Sequence, residues 1–216
     1  MQIFNLDNIK LDLNRLFLKK RFYATIFSVI LSLLTYRYGD KIVIQKTPAK
    51  KEKLLIDMIN HRLEEIRERH NCDYVAINIF KISHITGTEQ MDRKYEAAAQ
   101  GKIPLAPLVK NYECNVFERS FKHLKLRGHI YINDTKTYKK DTYLANTLYS
   151  LGTRSVFYVG LYDLEARIYK MEDGCVGFVS YEFDRPTKFT EAELNDLIIE
   201  TDLIVPYILK LNGINN

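Results

Sequence analysis

The chain has 216 residues, with 32 Lys/Arg against 27 Asp/Glu, which is room for one domain of ordinary size plus a tail. The positive excess sits at one end: residues 1–48 hold eight Lys/Arg and three Asp/Glu, and the remainder holds 24 of each. A charge-balanced domain excludes nucleic acid as the partner, whereas a basic amino-terminal segment suits anionic lipid headgroups.

Residues 2–18 place Leu6, Ile9, Leu13 and Leu16 at helical spacing with polar residues between them, an amphipathic pattern fit to lie on a membrane face. The fifteen residues Phe22–Tyr36, FYATIFSVILSLLTY, then carry no charge. As a helix they extend about 22 Å, short of the roughly 30 Å of bilayer hydrocarbon. Lys19, Lys20, Arg21 and Arg37 extend the reach by snorkelling, and Tyr23, Tyr36 and Tyr38 stand at the levels of an interfacial aromatic belt. The expectation is a transmembrane helix over 22–38, anchored by Lys19, Lys20, Arg21, Tyr36 and Arg37. Thr25, Ser28, Ser32 and Thr35 fall on one face of that helix and suit close helix–helix contact in lipid. Their hydroxyls bonding back to their own helix is the plainer reading.

Beyond Gly39-Asp40, Thr47-Pro48 signals a helix start, and Leu55, Met58, Ile59, Leu63 and Ile66 carry the helix to about His70. A juxtamembrane segment of 39–71 and a globular domain of 72–216 follow from this. Tyr74–Ile82 alternates in β-formers and reads as a strand. Residues 83–110 read as irregular, with a helical turn over Arg93–Gln100, and Tyr112–Leu124 reads as a helix. His129–Asn133 is a short strand, Asp141–Leu151 a helix stopped by Gly152, and Ser155–Asp163 and Gly174–Phe183 two further strands around a charged loop at 164–173. Thr190 and Glu193 form a capping box opening a last helix, with Leu194, Leu197, Ile198, Ile204 and Ile208 inward and Pro206 inside it. This order implies an α+β fold, an antiparallel sheet flanked by helices, comparable by element order with the GAF or PAS kind.

Catalytic patterns are sparse. His61 with Glu64 and Glu65 lacks the second histidine of a helical metal site and reads as surface charge; His84, His123 and His129 have no ligand at metal spacing. Gly174-Cys175-Val176-Gly177 falls inside a strand pattern, where glycine marks a bulge more often than a nucleophile turn. Asn133-Asp134-Thr135 matches a glycosylation triplet but also a turn after a strand. The expectation is a protein that is not an enzyme and binds no cofactor or metal. Cys72, Cys114 and Cys175 show no CxxC spacing; in an oxidising compartment one pair bridges, and spacing does not choose which.

The layout resembles the single-pass lysis holin of T-even-type phages. Asp12-Leu13-Asn14-Arg15-Leu16-Phe17 is similar to that family's pre-membrane segment and Tyr36-Arg37-Tyr38-Gly39-Asp40 to its exit from the bilayer. His129-Ile130-Tyr131-Ile132-Asn133 and the strand–loop–helix around Val176–Phe189 sit at comparable places. The resemblance implies a cytoplasmic tail over 1–21, one pass through the host inner membrane and a periplasmic domain. Such a protein forms homo-oligomers among membrane lipid, is held back by an antiholin, and opens lesions that release endolysin for timed lysis. Two rivals remain: a membrane-tethered GAF- or PAS-like sensor with a small ligand inside its sheet, and a soluble interaction domain with residues 22–36 in its core.

Overall fold

The computed structural model describes residues 48–162 and 174–211. The chain divides into two compact units, Met1–Lys51 and Glu52–Asn216. In chain order the described elements are α1 (Pro48–His70), β1 (Tyr74–Ile82), β2 (Glu89–Ala98), β3 (Tyr112–Glu113), a 3₁₀ turn (Cys114–Phe117), α2 (Glu118–Arg127), β4 (His129–Ile132), α3 (Thr142–Ser150), β5 (Ser155–Tyr162), β6 (Cys175–Phe183) and α4 (Glu191–Leu211). The strands form one antiparallel sheet in the order β3-β2-β1-β6-β5-β4.

Because strand side chains alternate, the sheet has two faces, and both are covered. On the first, Val75 and Ile77 of β1, Phe157, Val159 and Leu161 of β5, and Val179, Tyr181 and Phe183 of β6 meet Ile59, Leu63 and Ile66 of α1 and Leu197, Ile204 and Ile208 of α4. The α1 stripe recurs at i, i+4 and i+7, so one helical face delivers all three. Glu200 of α4 ties the two helices together, accepting from Arg62 at 2.5 Å and from Arg69. Inside this layer the Tyr181 hydroxyl donates to the Leu197 carbonyl at 2.9 Å and lies 2.7 Å from Thr201 Oγ1.

The second face meets α2, α3 and the 3₁₀ turn, through Phe117, Phe121, Leu124, Leu144 and Leu148 packed on Ile130, Ile132, Val156, Tyr158 and Phe178. Asp141 caps α3 by accepting from the Leu144 amide at 3.0 Å. The expected capping box also forms: the Thr190 amide donates to Glu193 at 2.7 Å and the Glu193 amide to Thr190 Oγ1 at 3.3 Å. Gly177 belongs to the β1–β6 ladder, and a Cβ there would lie 2.1 Å from the Asn78 carbonyl oxygen, so only glycine fits.

Three expectations change. The stretch 89–98, anticipated as irregular with a helical turn from Arg93, is a full inner strand: pairing to β1 on one side and β3 on the other overrides its helix-favouring composition. Tyr112–Leu124 breaks into two strand residues, the 3₁₀ turn and a helix that runs on to Arg127, where Gly128 takes a left-handed φ of 83°. Met58, anticipated inward on α1, is exposed.

No helix among the described residues is long and apolar enough to cross a membrane, so the anticipated fold stands as its α+β part without support for an amino-terminal transmembrane helix. The segment 22–38, with anchors Lys19, Lys20, Arg21, Tyr36 and Arg37 and the hydroxyl stripe Thr25, Ser28, Ser32 and Thr35, lies outside the described residues, as does the loop 164–173.

Candidate functional site

The polar residues of the second face lie together. Asn78 of β1, Arg93 of β2, Tyr158 of β5 and Ser180 and Glu182 of β6 are all buried, in a layer otherwise built from aliphatic and aromatic groups. A bulge makes this possible. Ile77 pairs with Tyr95 but Asn78 pairs with Arg93, so Lys94 is an extra residue in β2. The insertion reverses the alternation: Tyr95 and Ala97 join the first face, while Met91 lines the second with Arg93.

Arg93 is held from two sides. One guanidinium nitrogen donates to Glu182, whose other oxygen accepts from Thr153 Oγ1 at 3.4 Å; the second donates to Glu96 at 3.2 Å. Burial alone lowers the guanidinium pKa, but the Glu182 and Glu96 carboxylates outweigh it and the net shift is upward, so the group stays charged. Its third nitrogen is different. Arg93 Nε–H is buried and has no hydrogen-bond partner among the described residues. A buried unsatisfied donor costs about 1–3 kcal/mol or more, and such groups belong where function offsets the loss.

The same side chain lines a cavity of about 40 Å³ between the sheet and the helices, with Asn78, Met91, Val109, Phe117, Phe121, Leu144 and Tyr158 among the other walls. Phe117 stands edge-on to Phe121, and Phe121 packs on Phe178 at 5.6 Å between centroids. Burial raises the Tyr112 and Tyr158 phenols above their usual pKa, so both are neutral donors.

The wall at Val109 belongs to the segment 99–111, which β2 carboxylates latch in place. Glu96 accepts from the Leu105 amide at 2.9 Å and the Ala106 amide at 2.8 Å, and Asp92 accepts from the Asn111 amide at 2.6 Å. The Arg93 amide donates to the Val109 carbonyl at 2.8 Å. Leu105 and Val109 turn inward while Ile103 and Leu108 stay exposed, at 76% and 64%. Tyr74 Oη donates to the Ile103 carbonyl at 3.0 Å, Lys102 to Asp184 at 2.6 Å and Lys81 to Asn111 at 2.6 Å, so the segment is a flap held by polar bonds and two buried side chains.

Two larger depressions are lined by a mixture of buried, half-buried and exposed groups. One, of about 480 Å³, has Arg119, His123, His129 and Lys140 around it; the other, of about 360 Å³, lies between the end of α2 and α4. Neither contains a buried unsatisfied group, and the chemistry favours the smaller cavity.

The residues singled out from sequence fall elsewhere. Cys72, Cys114 and Cys175 are free, buried thiols; burial pushes Cys72 and Cys114 up to about 12 and raises Cys175 as well, which makes them poor nucleophiles. His61 lies 3.4 Å from Glu65 on the exposed side of α1, and no cluster among the described residues is arranged to hold a metal. Asp134 of the Asn133-Asp134-Thr135 triplet receives Arg154 at 3.0 Å.

No protein-family model matches the chain, and none of the curated proteins does. Solved structures do. The phycocyanobilin-bound GAF domain of a cyanobacterial phytochrome aligns with a TM-score of 0.58 at 17% identity, over 86% of this chain and 97% of that one. GAF3 of a Synechocystis sp. PCC6803 protein, in its photoproduct state, gives 0.57 at 16% identity over 74% and 97%. The GAF domain region of a Geobacter sulfurreducens PCA protein gives 0.55 at 16% over 75% and 98%. At these identities the likeness establishes the fold, a GAF-like α+β domain.

It also overturns the holin resemblance. Of the short segments that carried it, His129–Ile132 is β4, an ordinary strand of a GAF-like sheet, and such short β-forming runs recur in unrelated sheets for reasons of pleat and packing; Asp12–Phe17 and Tyr36–Asp40 lie outside the described residues. Host-cell lysis falls with it, as do the implied partners: membrane lipid, an antiholin and clustered copies of the chain.

Proposed function

We propose that the chain is a sensory or interaction module of the GAF kind, which binds a small molecule on the second face of its sheet and acts by binding, not by chemistry. The observation that carries this reading is the unpartnered, buried Arg93 Nε–H at a cavity walled by aromatic rings. A pocket that is mostly apolar with a few convergent polar groups is the usual form of a small-molecule site. The buried, protonated thiols support a binding role over covalent catalysis.

Some GAF neighbours hold bilins. This cavity does not fit one: about 40 Å³ is far below the roughly 300–1,000 Å³ of drug-sized ligand sites. A ligand here is smaller, and it enters by displacement of the 99–111 flap. Occupancy then reaches the rest of the chain through strands shared by both faces, since β1, β5 and β6 also carry the residues on which α1 and α4 pack. Native mass spectrometry of the purified full chain tests the reading. A retained small molecule, or stoichiometric uptake from a fragment mixture with loss on Phe121→Trp, supports it; a chain that takes up nothing, with an unaltered Phe121→Trp variant, contradicts it.

A further inference from the structure

An arginine at the bottom of a pocket ordinarily points to an anionic ligand. Here the surroundings reverse that reading. Arg93 is ion-paired with both Glu96 and Glu182, and all three side chains are 6% exposed or less. One positive charge faces two negative ones. Nη1 and Nη2 each donate to one of those carboxylates, and Nε is the one guanidinium nitrogen that makes no hydrogen bond. An anion that took the Nε–H would sit beside two carboxylates and a single guanidinium in a poorly solvated interior, where like charges repel strongly. The other polar lining groups, Asn78, Tyr112, Thr147 and Tyr158, are uncharged, and the remaining walls are aliphatic or aromatic.

We infer that the pocket selects an uncharged molecule of a few heavy atoms bearing a hydrogen-bond acceptor, which takes the Arg93 Nε–H within the roughly 40 Å³ beside Phe117, Phe121 and Phe178, and that Glu96 and Glu182 exclude small carboxylates of the same shape. This inference rests on the small-molecule reading above and names the ligand class of that site. Glu96 thereby acts twice. The carboxylate that helps to set the charge of the pocket also latches Leu105 and Ala106 of the flap, so charge selection and closure are built from one side chain.

The test compares acetamide with acetate, two small probes of nearly the same shape, one neutral and one anionic at neutral pH. Methyl NMR of the full-length protein follows Met91, Val109, Leu144 and Leu148. Saturable acetamide shifts at these methyls, with acetate weaker by about tenfold or more, are expected. Glu96→Gln, which removes one negative charge and keeps an acceptor for the flap amides, is expected to bring acetate within about threefold of acetamide. Acetate binding at these methyls as well as or better than acetamide, or an unchanged preference in a folded Glu96→Gln protein, overturns the ligand class and leaves the pocket standing. No shift at these methyls with either probe overturns the pocket reading and this inference together.

Discussion

The two faces of the sheet are built from the same strands and nearly the same number of aromatic rings, yet they differ in one respect. On the α1/α4 face the most deeply buried polar groups are satisfied within the layer, the Tyr181 hydroxyl by Leu197 and Thr201 and Glu200 by Arg62 and Arg69; His70 Nε2, at the half-buried end of α1, is the one atom there without a partner among the described residues. On the α2/α3 face a charged triad is buried with one donor left over, beside a void. The first arrangement is what stability alone favours; the second tolerates a local loss, and a loss of that kind is informative about binding.

That contrast is open to attack at several strengths. The largest effect is expected from Phe157→Ala on the first face, a fully buried ring between Tyr131 and Tyr181: about 3–5 kcal/mol less stable in urea unfolding, with little slack for the helices to collapse into the hole. On the second face Glu182→Leu leaves the Arg93 guanidinium without its main partner and costs about 3–5 kcal/mol. Adding Arg93→Met restores much of the loss, because an apolar pair of similar volume replaces the ion pair. A Glu182→Leu protein as stable as the parent sinks the picture of a buried, committed charge. Tyr181→Phe is smaller, about 1 kcal/mol, since it removes the hydroxyl's bonds to Leu197 and Thr201 while Thr201 Oγ1 keeps its own bond to the Leu197 carbonyl at 3.0 Å. Asp141→Ala removes the α3 cap and its bond to Ser120 Oγ at 2.5 Å, and costs about 1 kcal/mol. Its measure is the midpoint of thermal unfolding with cavity binding intact, since the cap stabilises the helix without lining the pocket.

Much of the scaffold was legible in the residues. The α1 stripe apart from Met58, the β1, β5 and β6 runs, the helix after Asp141 and the Thr190–Glu193 box are local signals, and each forms where its spacing indicates. β2 was not, because EQMDRKYEAA has few β-formers and its strand character comes from neighbours remote in sequence. The site was missed for the same reason. Its signal was nevertheless present: Asn78 interrupts YVAINIFKI, and Ser180 and Glu182 interrupt CVGFVSYEF at alternate positions, so one strand face carries polar groups where apolar ones are expected. What no local pattern reveals is the bulge at Lys94 that turns Arg93 toward them. The apolar run Phe22–Tyr36 drew the reading toward a membrane protein, and short matching segments then lent it a family that the fold does not bear out.

Native-state hydrogen exchange of the full chain addresses the contrast between the faces most directly. The account predicts that the amides of Leu105, Ala106, Val109 and Asn111 exchange through an opening well below the global unfolding free energy, and that those of Ile204 and Ile208 in α4 exchange only on global unfolding. A flap protected to the same level as α4, opening only when the whole domain unfolds, contradicts it, since the second face would then be as closed as the first and no ligand could enter.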